Sequence, residues 1–509
     1  MRGGTRSQVL FALIVLFALA GCASVNPYAE SPASSRMSDA ADDVLAQCAR
    51  LFARADRLVD AAGVRDAQEP RLPGYPYLRA DRLGEALASR SDGDAAFAAW
   101  TARLAALDDA ARRIELANLS APAAPSGEAL SDADALRDCR TRLLAADTAG
   151  PAARDALRTA ARVPPDYIAA RRALGLYPLT RLPFARGVKN WQAQTRAMFA
   201  TSPDALPVKG KPVHYRLGGG HRRPEAEDVR AILARSAPDA LGVPRISRED
   251  SDALFTAFAP EILVDEASYD DRIGRVEYAA DGGLWVNFFR PTVYTRLSHA
   301  IVGGRLALQL NYVFWFAARP PESPGDLLAG KFDALIWRVT LDRTGMPTVY
   351  DTIHHCGCYH LFFPVSGIRV KPQPETIDEG LFSPQSLVAH SASDRIGIRL
   401  SAGAHYIERV LVDPGFGGEI RPYAFADDND LRSLPSHETA SGGDTPRRRS
   451  AFDSAGFVPG SERGERFLFW PMGIANAGAM RQWGRHATAF VGMRHFDDPN
   501  LIGNYFDLP

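Results

Sequence analysis

The densest chemistry in the chain is His354-His355-Cys356-Gly357-Cys358-Tyr359-His360, which holds three of the 11 histidines and two of the five cysteines. Imidazoles and thiolates bind zinc and softer metals, and they move protons or act as nucleophiles near neutral pH. In an extended strand His354, Cys356, Cys358 and His360 would share one face. Neighbours on that face lie about 6.5–7 Å apart, so the four span roughly 20 Å. Zinc, with bonds of about 2.0–2.3 Å, needs the chain to bend before all four can reach it. Gly357 offers such a bend.

Three readings of the block follow. In the first, a metal such as zinc takes one or two ligands among His354, Cys356, Cys358 and His360, and others from His299, His390, His405, His486 or His495. In the second, Cys356 and Cys358 close a small-loop disulfide that is structural or redox-active. In the third, the block is a packed strand end with reduced cysteines and histidines that satisfy buried carbonyls. His299 and His355 complete the candidate catalytic set. The motif Gly-x-Ser-x-Gly, Ser-x-x-Lys and His-Glu-x-x-His do not occur. Residues 325–332 (GDLLAGKF) fall one residue short of a P-loop, with Phe332 where Ser or Thr would hold magnesium. Asp265, Glu266, Asp270 and Asp271 could pair for acid–base work, but read more simply as turn and solvent-face residues. Asp427 to Asp430 lacks the glycine and glutamate of an EF-hand loop.

The elements that must position the block are strands. From Leu306 to Phe316, apolar residues alternate with polar Gln309 and Asn311, which predicts a strand with one buried face. Residues 336–341 and 347–353 flank Asp342-Arg343-Thr344-Gly345 and form a hairpin. If the Leu306–Phe316 strand adjoins 347–360, then Gln309, Asn311 and the His/Cys block line one cleft. Residues 393–400 and 406–412 read as further strands. Residues 431–465, with Pro446-Arg447-Arg448-Arg449, read as an exposed loop.

Upstream of residue 200 the pattern is helical, rich in Ala, Leu, Arg and Asp. Val44, Cys48, Leu51 and Phe52 make one apolar stripe; Leu136, Cys139, Leu143 and Leu144 make another. Both cysteines face inward, and a Cys48–Cys139 disulfide is expected to staple the two helices. Pro and Gly in 121–127 break the helical region. The Pro- and Gly-rich stretch 202–224 coincides with a change of composition. The expected layout is α+β: an α-helical domain at 37–200, a linker and connecting helix at 201–249, and a β-rich domain at 250–509 built as a sandwich or open mixed sheet.

Length, 46% hydrophobic and 23% charged residues and a formal charge of −1 fit a globular chain of two or three domains with no polyanion-binding character. The N-terminus carries an address. Arg2 and Arg6 precede an apolar run through Ala18, and Leu19-Ala20-Gly21-Cys22 follows. This resembles a bacterial lipoprotein signal, with residues 1–21 removed and Cys22 lipidated. Ala23 after the cysteine implies, by resemblance to Gram-negative sorting, the outer membrane facing the periplasm. Residues 22–36 read as a flexible tether. Export makes disulfides plausible among the four remaining cysteines.

Residues 310–364, with NYVFWF and HHCGCYHLFFP, resemble a segment of uncharacterised proteobacterial lipoproteins, which implies no activity. There is also similarity to necrosis-inducing-like β-sandwich proteins, whose metal motif is Gly-His-Arg-His-Asp-Trp-Glu. The counterpart here is Gly330-Lys331-Phe332-Asp333-Ala334-Leu335, which lacks both histidines and the acidic end. Two functions are expected: a metal- or thiol-assisted envelope hydrolase centred on the block, or a non-catalytic envelope protein that binds a protein partner or the cell wall.

Overall fold

The computed structural model describes residues 44–119, 133–220, 222–439 and 446–509. Cys22, the signal segment, the tether and the Pro/Gly break at 121–127 lie outside the described residues.

The N-terminal region is built on α1 (Val44–Ala61), α2 (Asp94–Asn118) and α3 (Ala133–Asp147). On α1, Cys48, Phe52 and Val59 recur at helical spacing and are buried, whereas Val44 at the helix start is exposed. Cys48 and Cys139 are bridged, with Cα atoms 5.0 Å apart. The region is not wholly helical. Arg71–Leu72 and Tyr75–Arg79 form a short hairpin around Gly74, whose φ is +82°. Arg79, fully buried at the end of that hairpin, binds both Glu115 oxygens at 2.7 and 2.8 Å, and Asp108 at 3.3 Å. These charges are tolerated inside because each is paired.

The remainder is organised around a curled, open mixed sheet of ten strands among the described residues. In chain order they are β1 (Lys211–Leu217), β2 (Glu261–Glu266), β3 (Thr292–Val302), β4 (Arg305–Arg319), β5 (Gly330–Leu341), β6 (Pro347–His354), β7 (Leu361–Pro364), β8 (Ile396–Leu400), β9 (Ile407–Val412) and β10 (Glu419–Asp427). Their spatial order is β7-β6-β5-β4-β3-β10-β1-β2-β8-β9. Strands β3 to β7 form an antiparallel meander; β10 pairs in parallel with both β3 and β1, and β2 with β8. The fold is therefore α+β with an open sheet rather than a sandwich.

Three expectations about organisation change. Residues 211–217 are not linker but strand β1, deep in the sheet. The helices α4 (Ala169–Leu174) and α5 (Tyr177–Ala200) do not stay with the N-terminal helices: Phe199 packs in the sheet core, and Arg409 of β9 binds the Phe199 and Thr201 carbonyls. A helical period reports an apolar stripe, not which partner covers it. Residues 431–465 are not an open loop. Leu434–Thr439 pairs with Pro446–Arg449, Arg448 binds the Ser433 backbone, and Phe452, Val458 and Arg463 are buried.

Strand β4 is buried on both faces, not one. Leu310, Tyr312, Phe314 and Phe316 pack on one side, under α5, α6 (Ala226–Arg235) and α7 (Arg248–Ala257). Val313 and Trp315 pack on the other, under a C-terminal segment that includes Phe452, Met480 and Phe496. Gln309 and Asn311 are buried among hydrogen-bonding neighbours: Gln309 donates to Thr340, and Asn311 to Ser298 and the Arg296 carbonyl.

Candidate functional site

The His/Cys block does not continue as a strand. β6 ends at His354, the chain turns through residues 355–358, and β7 begins at Leu361. The turn is closed by Gly357 N–H donating to the His354 carbonyl at 2.7 Å and His354 N–H to the Cys358 carbonyl at 3.0 Å. Gly357 has φ +94°, and a Cβ there would lie 2.2 Å from the Ala487 carbonyl oxygen. Only glycine accepts both demands. Tyr359 follows at φ +61°.

This turn scatters the side chains that an extended strand would align. His354 lies beside Asp333 at 3.5 Å, at the outer limit of a hydrogen bond. His360 lies beside Asp351, with Nε2 2.9 Å from Oδ2. His355 packs against Trp315 and His486. Cys356 and Cys358 are buried, unbridged and close enough to share a hydrogen bond. Neither the four-ligand zinc site nor the Cys356–Cys358 disulfide is formed: among the described residues no three His, Cys, Asp or Glu side chains are grouped to hold a metal.

Of the other histidines, His486 adjoins His355 and His405 shares Asp333 with His354, whereas His299, His390 and His495 are held apart from the block. His390 Nε2 lies 2.7 Å from the Tyr350 hydroxyl, and His495 accepts the Asp166 N–H at 3.1 Å. His299 of β3 pairs with Leu308 of β4, whereas His354 aligns through Leu335 and Phe314 with Val293 of β3. The six-residue offset from Val293 to His299 is about 20 Å along the strand. The expected cleft with Gln309 and Asn311 is not formed either, because β5 lies between β4 and β6.

Asp333 is the centre of one buried cluster. Its Oδ1 accepts Arg463 at 3.0 Å and its Oδ2 accepts His405 Nδ1 at 2.8 Å. Burial would raise this carboxyl, but Arg463 and His354 hold it well below the usual carboxylate range. His405 is opposed by burial yet raised overall, because Asp271 and Asp333 flank it; His354 is lowered by burial. Asp271 is thus the one member of the Asp265/Glu266/Asp270/Asp271 set that reaches the block's surroundings; Asp265 pairs with Arg399 and Glu266 with Arg272 and Arg421. Asp351 centres a second cluster, bound by Arg338 through two bonds of 2.8 and 2.6 Å.

The thiols, together with His360, line a cavity of about 580 Å³, with Phe184, Trp191, Phe469, Phe490 and other apolar side chains on its walls. The Cys358 thiol donates to Cys356, which lowers the Cys356 pKa against the cost of burial, and Arg463 lowers it further. The same hydrogen bond, together with burial, raises Cys358 well above the ordinary thiol range. Glu465 lines the same cavity, and burial outweighs nearby arginines to push it up to about 7. Arg481 fixes the turn by donating from Nε to the Cys356 carbonyl at 2.9 Å. The arrangement offers one activated thiol, one protonated thiol and a carboxyl able to give or take a proton near neutral pH.

Asp333, Asp351, Arg463, Glu465 and Arg481 were not among the sequence candidates. A faint signal existed for two of them, since Asp333 and Asp351 each place a carboxylate within a strand rich in apolar residues. No family model, curated protein or solved structure matches the chain.

Proposed function

We propose that this protein is a lipid-anchored, periplasm-facing outer-membrane hydrolase whose nucleophile is the Cys356 thiolate. Zinc has no role in this reading. The observation that supports it is the juxtaposition of two unlike thiols and a near-neutral carboxyl, Glu465, on one apolar cavity. The Cys356 sulfur attacks an ester or amide carbonyl, and the carbon–oxygen or carbon–nitrogen bond breaks. Protonated Glu465 gives its proton to the leaving group. Water then gives a proton to the Glu465 carboxylate and its oxygen to the thioester, which releases the acid and restores the thiolate. The cavity walls favour an apolar acyl group over a charged one.

The hydrogen-bonded second thiol favours one other reading, a dithiol centre that reduces a substrate disulfide. Here Cys356 attacks the disulfide, and the substrate thiolate that leaves takes the Cys358 proton; the Cys358 sulfur then resolves the mixed disulfide to give Cys356–Cys358 and a second thiolate. Turnover of p-nitrophenyl esters of increasing chain length separates the two. Hydrolysis requires Cys356 and falls about 10²-fold or more in Glu465→Gln, while Cys358→Ala weakens it through the lost hydrogen bond to Cys356 but does not abolish it. Loss of disulfide reduction in Cys358→Ala, without any esterase activity, assigns the redox reading. Full ester hydrolysis by Cys356→Ala rejects the thiol nucleophile. A Cys22→Ala chain released from the outer membrane on fractionation tests the anchor separately.

A further inference from the structure

The chain from Tyr167 to Pro203 contains six Arg or Lys residues and no Asp or Glu. It spans α4 and α5, and it packs on the segment 466–474. Phe184 and Phe469 have ring centroids 5.3 Å apart, and Arg172 binds the Met472 carbonyl. Where these pieces meet, large apolar side chains face outward. Leu174, Leu176, Leu179, Leu182, Phe467 and Leu468 are each at least 53% exposed. Such residues occur singly on most surfaces; six on two adjoining segments form a patch that calls for an occupant.

The spacing on α5 defines that occupant. Leu179, Leu182, Arg186 and Lys189 follow one another at three, four and three residues, which puts them on one helix face, and all four are exposed. Arg196, seven residues and two turns beyond Lys189, continues the same stripe and is also exposed. Arg466 adds a cation beside Phe467, 4.9 Å from its ring. A leucine pair running into arginine and lysine on one exposed face suits the boundary between acyl chains and acidic headgroups: the leucines enter the apolar phase, and the long cationic side chains reach the phosphates. A protein partner would need acidic groups matched to each cation; a lipid surface supplies them everywhere. The thiol cavity lies next to this face, since Pro183, Phe184 and Leu468 line it.

We infer that the α4–α5 face, with Phe467 and Leu468, is a second membrane-contact surface that seats on an anionic bilayer independently of the N-terminal lipid. This does not rest on the thiol chemistry proposed above. The test uses the chain from Ala23, which has no lipid-bearing cysteine and retains every described residue, in co-sedimentation with vesicles. One set is phosphatidylcholine alone; the other contains 30% phosphatidylglycerol. The expected result is binding to the anionic set at least tenfold tighter than to the neutral set, lost in 0.5 M salt. Leu179→Ser/Leu182→Ser and Arg186→Gln/Lys189→Gln each weaken it at least tenfold, with circular dichroism unchanged because all four side chains are exposed. Absence of binding, equal binding to neutral vesicles, or undiminished binding by both double variants overturns the inference. A dimer in sedimentation equilibrium that dissociates in Leu179→Ser/Leu182→Ser, without vesicle binding, assigns the face to a second copy instead and overturns it equally.

Discussion

The two cysteine pairs have the same chemistry and opposite fates. Cys48 and Cys139 stand 91 residues apart on two helices whose packing brings their Cα atoms to 5.0 Å, and they are bridged. Cys356 and Cys358 are separated by one residue, share a buried turn and remain thiols. Sequence proximity is thus a poor guide to bonding. What counts is the direction in which the backbone aims each Cβ. The distant pair sits on regular helices free to face each other. The near pair is held by a glycine turn that is locked from outside, by the Ala487 carbonyl and by Arg481, so the sulfurs meet as donor and acceptor. One pair is a staple and the other is left available for reaction.

The largest effect comes from breaking the staple. Cys48→Ala/Cys139→Ala releases a loop closure worth about 4–5 kcal/mol in the chain-entropy account. Denaturant unfolding of the oxidised wild type against this variant should show that loss, and dithiothreitol should destabilise the wild type by a similar amount. Cys356→Ala should leave the reductant effect in place.

Next is the lock on the reactive pair. Gly357→Ala introduces both a strained φ and a clash with backbone, and is expected to cost about 2–3 kcal/mol. It should also make Cys356 react faster with iodoacetamide as the turn opens. Unchanged stability would mean that the turn is held less tightly than the Ala487 contact implies.

The smallest effect is a slope. His355 and His360, lowered to about 3 by burial, and His299, lowered to about 4, stay neutral in the folded protein. Below about pH 6.5 the unfolded chain binds protons that the folded one does not, so these histidines make stability fall as pH falls. Glu465 acts in the opposite direction. Its folded pKa of about 7 lies above the unfolded value, so its contribution is full below about pH 4.5 and is lost as pH rises through 7. Glu465→Gln should therefore steepen the acid-side fall by roughly 1.4 kcal/mol per pH unit between pH 4.5 and 6.5. A parallel pH curve for the variant would show that Glu465 titrates normally.

Much of the scaffold was legible beforehand. Period-two alternation located β4, and the turn at 342–345 located β6 and the second half of β5, because both signals are local properties of the chain; β5 begins six residues earlier than expected. The inward-facing stripes of α1 and α3 were enough to pair Cys48 with Cys139. Legibility failed wherever the partner mattered more than the period. Gln309 and Asn311 looked solvent-facing, yet they are hydrogen-bonded inside, since a polar residue in an alternating strand is consistent with water or with a buried neighbour. The polar stretch 431–465 looked exposed, yet its Arg463 is the buried counterion of Asp333.

By itself, the sequence determined the α+β order, the main strands and the helical staple, all of which depend on local spacing. It also placed two thiols and three imidazoles within seven residues. Only the tertiary structure decided how these groups part company: Asp333 draws His354, Asp351 draws His360 at the cavity wall, and both thiols line that cavity with Glu465. Buried charges choose their partners by distance and dielectric after the sheet has formed, and neither quantity is written in a linear spacing.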